Sequence, residues 1–202
     1  MQAASKQLIP ALSTLFLLSG AAALIDQIAW QRMLFSHFGT DLETTTLVIS
    51  VFMFGLGIGA LTGGKIADRY PDHALHMFAL SEAGVGLFAW SSDSLIDLLG
   101  ESFRQASHAT LALVNFLLLL PATLLMGATL PILVAFLVRN FRNIGWATGQ
   151  LYACNTLGAS LGALLAGMVL FLWLDLRQAL IFSGTINLVV AGAVLAWIRK
   201  PK

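Results

Sequence analysis

The sequence predicts an all-α membrane protein: six transmembrane helices in a single domain, residues 1–202, with both termini on the cytoplasmic side. Three observations lead there. Composition is the first: 58% of residues are hydrophobic and 10% charged, with a mean hydropathy of +0.85, whereas a soluble domain carries roughly 25% charged residues. The second is a series of apolar stretches, each close to the ~20 residues that cross a hydrocarbon core about 30 Å thick. The third is where Lys and Arg fall. The formal net charge of +1 says little, because topology follows the distribution of cations and not their sum.

The spans cover about 8–29, 47–66, 74–90, 109–138, 144–174 and 179–198. The first, Leu8 to Ala29, has Lys6 before it and Ala21-Ala22-Ala23 within it, which resembles a signal peptide with its cleavage site. It is read as a retained span, because removing it breaks the charge topology. The second follows Thr44, Thr45 and Thr46 and ends in the charged cluster around Lys65, Asp68 and Arg69. The third, Ala74 to Trp90, leads into 91–107, where Leu95, Leu99 and Phe103 share one helical face. That segment reads as a short helix at the outer interface, or as an extended helix end. The fourth contains Pro121 and Pro131, which predict bends, since each lacks a backbone donor and clashes with the preceding turn. The fifth and sixth are joined by the short Leu174-Asp175-Leu176-Arg177, so they are antiparallel neighbours.

Six spans put Lys6, Lys65, Arg69, Arg139, Arg142, Arg199, Lys200 and Lys202 inside, and Arg32, Arg104 and Arg177 outside. That is the asymmetry of a multi-pass protein of the cell inner membrane, and five or seven spans would scramble it. Trp30 and Trp90 then fall near the outer boundary, and Trp146 and Trp197 near the inner one, where aromatic belts account for them.

Small residues mark helix packing. Gly55, Gly59 and Gly63 in the second span, and Gly158 and Gly162 in the fifth, recur at four-residue spacing. In lipid such stripes let helix backbones approach closely, in one chain or between copies. The Gly55–Gly59 run is not a phosphate-binding fingerprint, because it lies within an apolar span and not between a strand and a helix. The single Cys154 excludes an internal disulfide. His73 and His76 have no third ligand near them. No cofactor, metal or nucleic-acid partner is expected, and no enzyme confined to this chain.

Polar groups inside the spans are the candidate site. Asp26 and Gln27 lie in the outer third of the first, Glu82 mid-way along the third, and Asn155 mid-way along the fifth. An ionised carboxylate at the bilayer centre costs about 3 kcal/mol on insertion scales, so such groups face protein or a water-filled cavity. Asp26, Glu82, Asn155 and Gln27 therefore read either as a substrate or proton path, or as a structural hydrogen-bond network.

Gly64-Lys65-Ile66-Ala67-Asp68-Arg69 resembles the loop signature between the second and third helices of the major facilitator superfamily. The resemblance implies a cytoplasmic gate at Gly64, Asp68 and Arg69. It covers the first half of the motif, since Pro71, Asp72 and His73 depart from the family pattern. A larger part of the chain resembles the membrane part of fused major facilitator/spermidine synthase-like proteins. The segments are Ser19 to Leu34, Gly63 to Arg69, Pro121 to Pro131 and Leu151 to Gly167, with Asp26 at a position where an aromatic is expected. This implies a bundle like one half of a major facilitator transporter. The sequence ends at Lys202 with no synthase-like domain after the last span, so such chemistry is expected either on a separate polypeptide or not at all.

Two functions follow from the resemblance. One is a half-size transporter, a homodimer in membrane lipid whose two copies each supply one half and which moves a small cationic solute, amine- or polyamine-like. The other is a membrane scaffold for a soluble spermidine synthase-like partner, held through the Asp68/Arg69 loop and the 139–142 loop.

Overall fold

In a computed structural model, the residues described are 2–38, 41–103, 106–140 and 143–199. They are helical throughout, with no strand among them. The long helices are α1 (Gln2–Phe38), α2 (Asp41–Arg69), α3 (Ala74–Ser102), α4 (His108–Asn140) and α5 (Ile144–Leu165). A π-helical segment, Ala166–Leu170, carries α5 into the short α6 (Phe171–Trp173), and α7 (Leu176–Ile198) completes the chain. Five are long and apolar enough to cross a membrane: α1, α2, α4, the α5–α6 rod and α7. Helix α3 matches them in length but carries His76 and Glu82 in its apolar half.

Local chemistry sets the ends. Asp175 caps α7 by accepting from the Gln178 backbone N–H at 2.7 Å, and Gln178 reciprocates toward the Asp175 N–H at 3.2 Å. That reciprocal pair is a capping box, which satisfies two of the donors every helix start leaves open. Asn143 caps α5 through the Trp146 N–H. The stretch after Trp90 continues α3 without a break to Ser102, with Ser92 and Ile96 buried on its inner face. Of the cations in the charge asymmetry, Arg104, Arg142, Lys200 and Lys202 lie outside the described residues, as does the Lys6 side chain.

Three close pairings build the bundle: α2 on α4, α1 on α5, and α3 on α7. Glycines set the first two. A Cβ on Gly59 would overlap the Leu124 backbone, and one on Gly63 would lie 2.8 Å from Cα of Ala128. Gly158 and Gly162 meet Leu17 and Ala21 of α1 in the same way, and Gly55 meets Thr123. The fifth-span stripe thus packs within its own chain. Contact between bare backbones is how membrane helices gain packing energy where lipid offers no hydrophobic drive.

These contacts repeat in register. Leu17, Gly20 and Ala21 of α1 correspond to Leu124, Gly127 and Ala128 of α4, while Leu56, Gly59 and Gly63 of α2 correspond to Asn155, Gly158 and Gly162 of α5. Gly20 meets Asn155 as Gly127 meets Leu56, and Gly86 of α3 faces Gly184 of α7. Exchanging the first three long helices for the last three preserves the pairings. The described helices are therefore arranged as an internal two-fold repeat.

The core has two apolar layers. At one end lie the start of α1, the end of α2 and the start of α3, with Leu12, Phe16, Phe78, Leu133, Leu151 and Val194. At the other end lie Trp30, Leu34, Val48, Phe52, Ile96, Leu119 and Leu180. Trp30 corrects the aromatic-belt expectation: it is fully buried there. Its indole N–H donates to Ser92 Oγ at 2.8 Å and its ring stands edge-on to Phe88. Burial is tolerated because the one polar atom has a partner. Trp90, Trp146 and Trp197 are exposed.

Candidate functional site

Between the two apolar layers the helices turn polar side chains toward one another around a cavity of about 120 Å³. Every long helix of the one chain lines it. Helix α1 contributes Ser19, Gly20, Leu24 and Gln27, α2 contributes Phe52 and Leu56, and α3 contributes Glu82 and Val85. Met126 and Thr129 come from α4, Asn155 from α5 and Asn187 from α7. The cavity lies within a single bundle.

Glu82 is the only ionisable side chain lining it among the described residues and is 2% exposed. Ser19 Oγ donates to Glu82 Oε1 at 2.7 Å, and the second carboxylate oxygen has no donor among the described residues. Asn187, 1% exposed, also lines the cavity, and its Nδ2 has no acceptor there. Two close approaches bring these groups together. Gly20 admits Asn155, because a Cβ on Gly20 would lie 2.8 Å from Asn155 Oδ1. Gly86 admits α7, because its Cβ would sit 2.7 Å from the Gly184 carbonyl and 3.2 Å from Asn187 Cβ. Among the described residues no Lys, Arg or His lines the cavity, so ionisation of Glu82 would set a negative field that low surrounding polarity strengthens.

Asp26 is placed differently. It does not line the cavity but points between α1 and α7, fully buried, where the Ser183 hydroxyl donates to its Oδ1. Its Oδ2 has no partner among the described residues. Its chain neighbour Ile25 packs on Ala166, at the start of the π-helical segment, and on Ala179. Of the four path candidates, the structure therefore groups Glu82, Gln27 and Asn155 and leaves Asp26 apart.

At the end of α2, a Cβ on Gly64 would lie 3.4 Å from Pro131 Cβ, and Asp68 and Arg69 are exposed. The Arg69 guanidinium sits 5.7 Å from the Tyr70 ring centre. The ion pair described at that end joins Asp72 to Arg139, linking the α2–α3 connection to α4. No group of three or more His, Cys, Asp or Glu suited to a metal occurs among the described residues.

Ser19 and Asn187 escaped sequence reading. Asn187 carries the same mid-span polar signal as Asn155. Ser19 gives none, because a small hydroxyl in a Ser-Gly-Ala run reads as packing.

Comparison with known proteins adds a relationship. The chain is 28% identical to polyamine aminopropyltransferase 2 of Streptomyces coelicolor, over 95% of this chain and 36% of that protein. It is 27% identical to the polyamine aminopropyltransferase of Corynebacterium efficiens, over 85% of this chain and 32% of that protein. For the enzyme of that name from Mycobacterium tuberculosis, identity is 26%, over 89% of this chain and 34% of the relative. The chain thus spans about a third of the length of these relatives. No protein-family model matches the chain, and no solved structure matches it. It is a helical, membrane-type chain related to part of larger proteins named as enzymes. This corrects the expectation of no enzyme, which treated the chain apart from proteins that carry an aminopropyltransferase name.

Proposed function

We propose that this chain is the membrane-spanning part of a polyamine aminopropyltransferase system and carries a small cationic amine across the inner membrane. Glu82 holds the ammonium group, with Ser19, Asn155, Asn187 and Gln27 around it. The observation that supports this most is the Glu82 carboxylate, buried with one oxygen unpartnered, in a cavity lined by no cation. An ammonium supplies the missing donors, and a charge-assisted hydrogen bond is about twice as strong as a neutral one.

In this reading α3 is the sixth span and both termini are cytoplasmic. Lys65, Arg69 and Arg139 follow the apolar parts of α2 and α4 at one end of the bundle, while Arg32 and Arg177 flank the opposite end, as cation-biased topology requires. Two copies pair as halves of one transporter, and Gly64, Asp68 and Arg69 close its cytoplasmic end. Pairing has a surface available: the α5–α6 rod leaves Leu157, Leu161, Leu164 and Met168 exposed. Native mass spectrometry of the detergent-solubilised chain tests the dimer, and a monomer at all concentrations removes it.

Uptake of labelled n-butylammonium into proteoliposomes tests the transport claim. Accumulation that disappears with Glu82→Gln is the expected result. Uptake no greater than that of empty vesicles, under any imposed gradient, refutes it.

A second reading is favoured by the lengths of the relatives, of which this chain covers about a third. Here the bundle anchors aminopropyltransferase activity at the membrane, through the exposed Asp68/Arg69 end. Purification of the tagged chain from native membranes separates the two. Transferase activity that copurifies without amine flux supports the anchor, and flux by the pure chain supports the carrier.

A further inference from the structure

The cavity is unevenly built, and the internal repeat shows how. The polar residues Ser19, Asn155 and Glu82 each have an apolar counterpart at the related position. The correspondence of Gly20 with Gly127 carries Ser19 onto Met126, and Asn155 corresponds to Leu56. All four residues line the cavity. The correspondence of Gly86 with Gly184 carries Glu82 onto Leu180, which is buried in the apolar layer. Repeated backbones thus frame a site whose carboxylate occurs once.

From this asymmetry we infer that the cavity binds one ammonium head with an unbranched alkyl tail, and excludes a second charged end from the same pocket. The inference rests on the amine reading of this site and narrows it to a ligand class. The head meets the unpartnered Glu82 oxygen, with Ser19 and Asn155 beside it. The tail lies on Phe52, Leu56 and Met126, where burial of methylene groups is favourable. A volume of about 120 Å³ is several times what one water molecule needs, enough for a short chain. A second ammonium at the far end of that chain would meet no second carboxylate among the described lining residues, and a buried charge without an opposite charge is strongly disfavoured.

The test is a ligand ladder on the full chain in lipid nanodiscs, read by calorimetry: n-butylammonium, butane-1,4-diammonium and uncharged n-butanol. Butylammonium should bind at least about tenfold more tightly than either of the others, since a lost buried hydrogen-bonded pair costs that much. Glu82→Gln should remove its preference over butanol. Met126→Glu, which places a second carboxylate on the apolar wall, should favour the diammonium. If the diammonium binds the unmodified chain as tightly as butylammonium, the single-head claim fails while the amine reading stands. If no amine binds the folded chain, both fail. Should Glu82→Gln not fold, the ladder on the unmodified chain alone decides.

Discussion

Glu82 and Asp26 are chemically similar and equally hidden, each accepting one serine hydroxyl, yet the bundle gives them different surroundings. Glu82 reaches a cavity with Gln27, Asn155 and Asn187 around it. Asp26 is clamped between α1 and α7 by Ser183, beside a packed cluster of Ile25, Ala166 and Ala179. Burial alone therefore does not mark a site. What separates the two carboxylates is whether the unpartnered oxygen looks onto space that a ligand can enter.

The largest expected effect tests that contrast directly. Glu82→Gln should bring amine uptake to background, a loss of about a hundredfold or more, because an amide that cannot ionise replaces the one carboxyl lining the cavity among the described residues. Circular dichroism and size-exclusion behaviour should be unchanged. A variant that instead falls apart in detergent would make Glu82 structural, like Asp26.

The serines give the next contrast. Ser183→Ala leaves Asp26 buried with no donor, so the bundle should lose about 1–3 kcal/mol of stability, measured by unfolding in mixed micelles. Ser19→Ala should cost less than about 1 kcal/mol, because water in the cavity can replace the hydroxyl. Equal losses at the two serines would erase the distinction.

The smallest effect belongs to Asp26→Asn. The amide retains an oxygen for Ser183, and the residue lies off the cavity, so uptake should stay within about twofold of the unmodified chain. Abolished uptake would restore Asp26 to the solute path.

Much of the architecture was legible because apolar length and small-residue spacing act through local geometry. The six apolar stretches each lie within one long helical rod, and the glycine stripes sit where backbones meet. Hydropathy marks the part of a helix suited to lipid, not its ends, which is why α3 runs on past Trp90 to Ser102. Trp30 was misplaced because its amphipathic ring suits an interface equally well, and only tertiary structure supplies Ser92. The site was legible as residue types and not as a grouping. Asp26 and Gln27 are adjacent in sequence, but neighbours on a helix are turned by about 100°, so one faces α7 and the other the cavity. Asn187 became significant only when the Gly86–Gly184 crossing brought α7 against α3.

The internal repeat has a consequence for biogenesis. A bundle whose second half retraces its first upside down keeps the same helix pairings when turned over, so in the proposed topology packing alone does not favour one orientation. In that topology orientation is left to the cations, among them Lys65, Arg69, Arg139 and Arg199 toward one face and Arg32 and Arg177 toward the other. Moving cations from one end of the bundle to the other is then the change expected to turn the chain over.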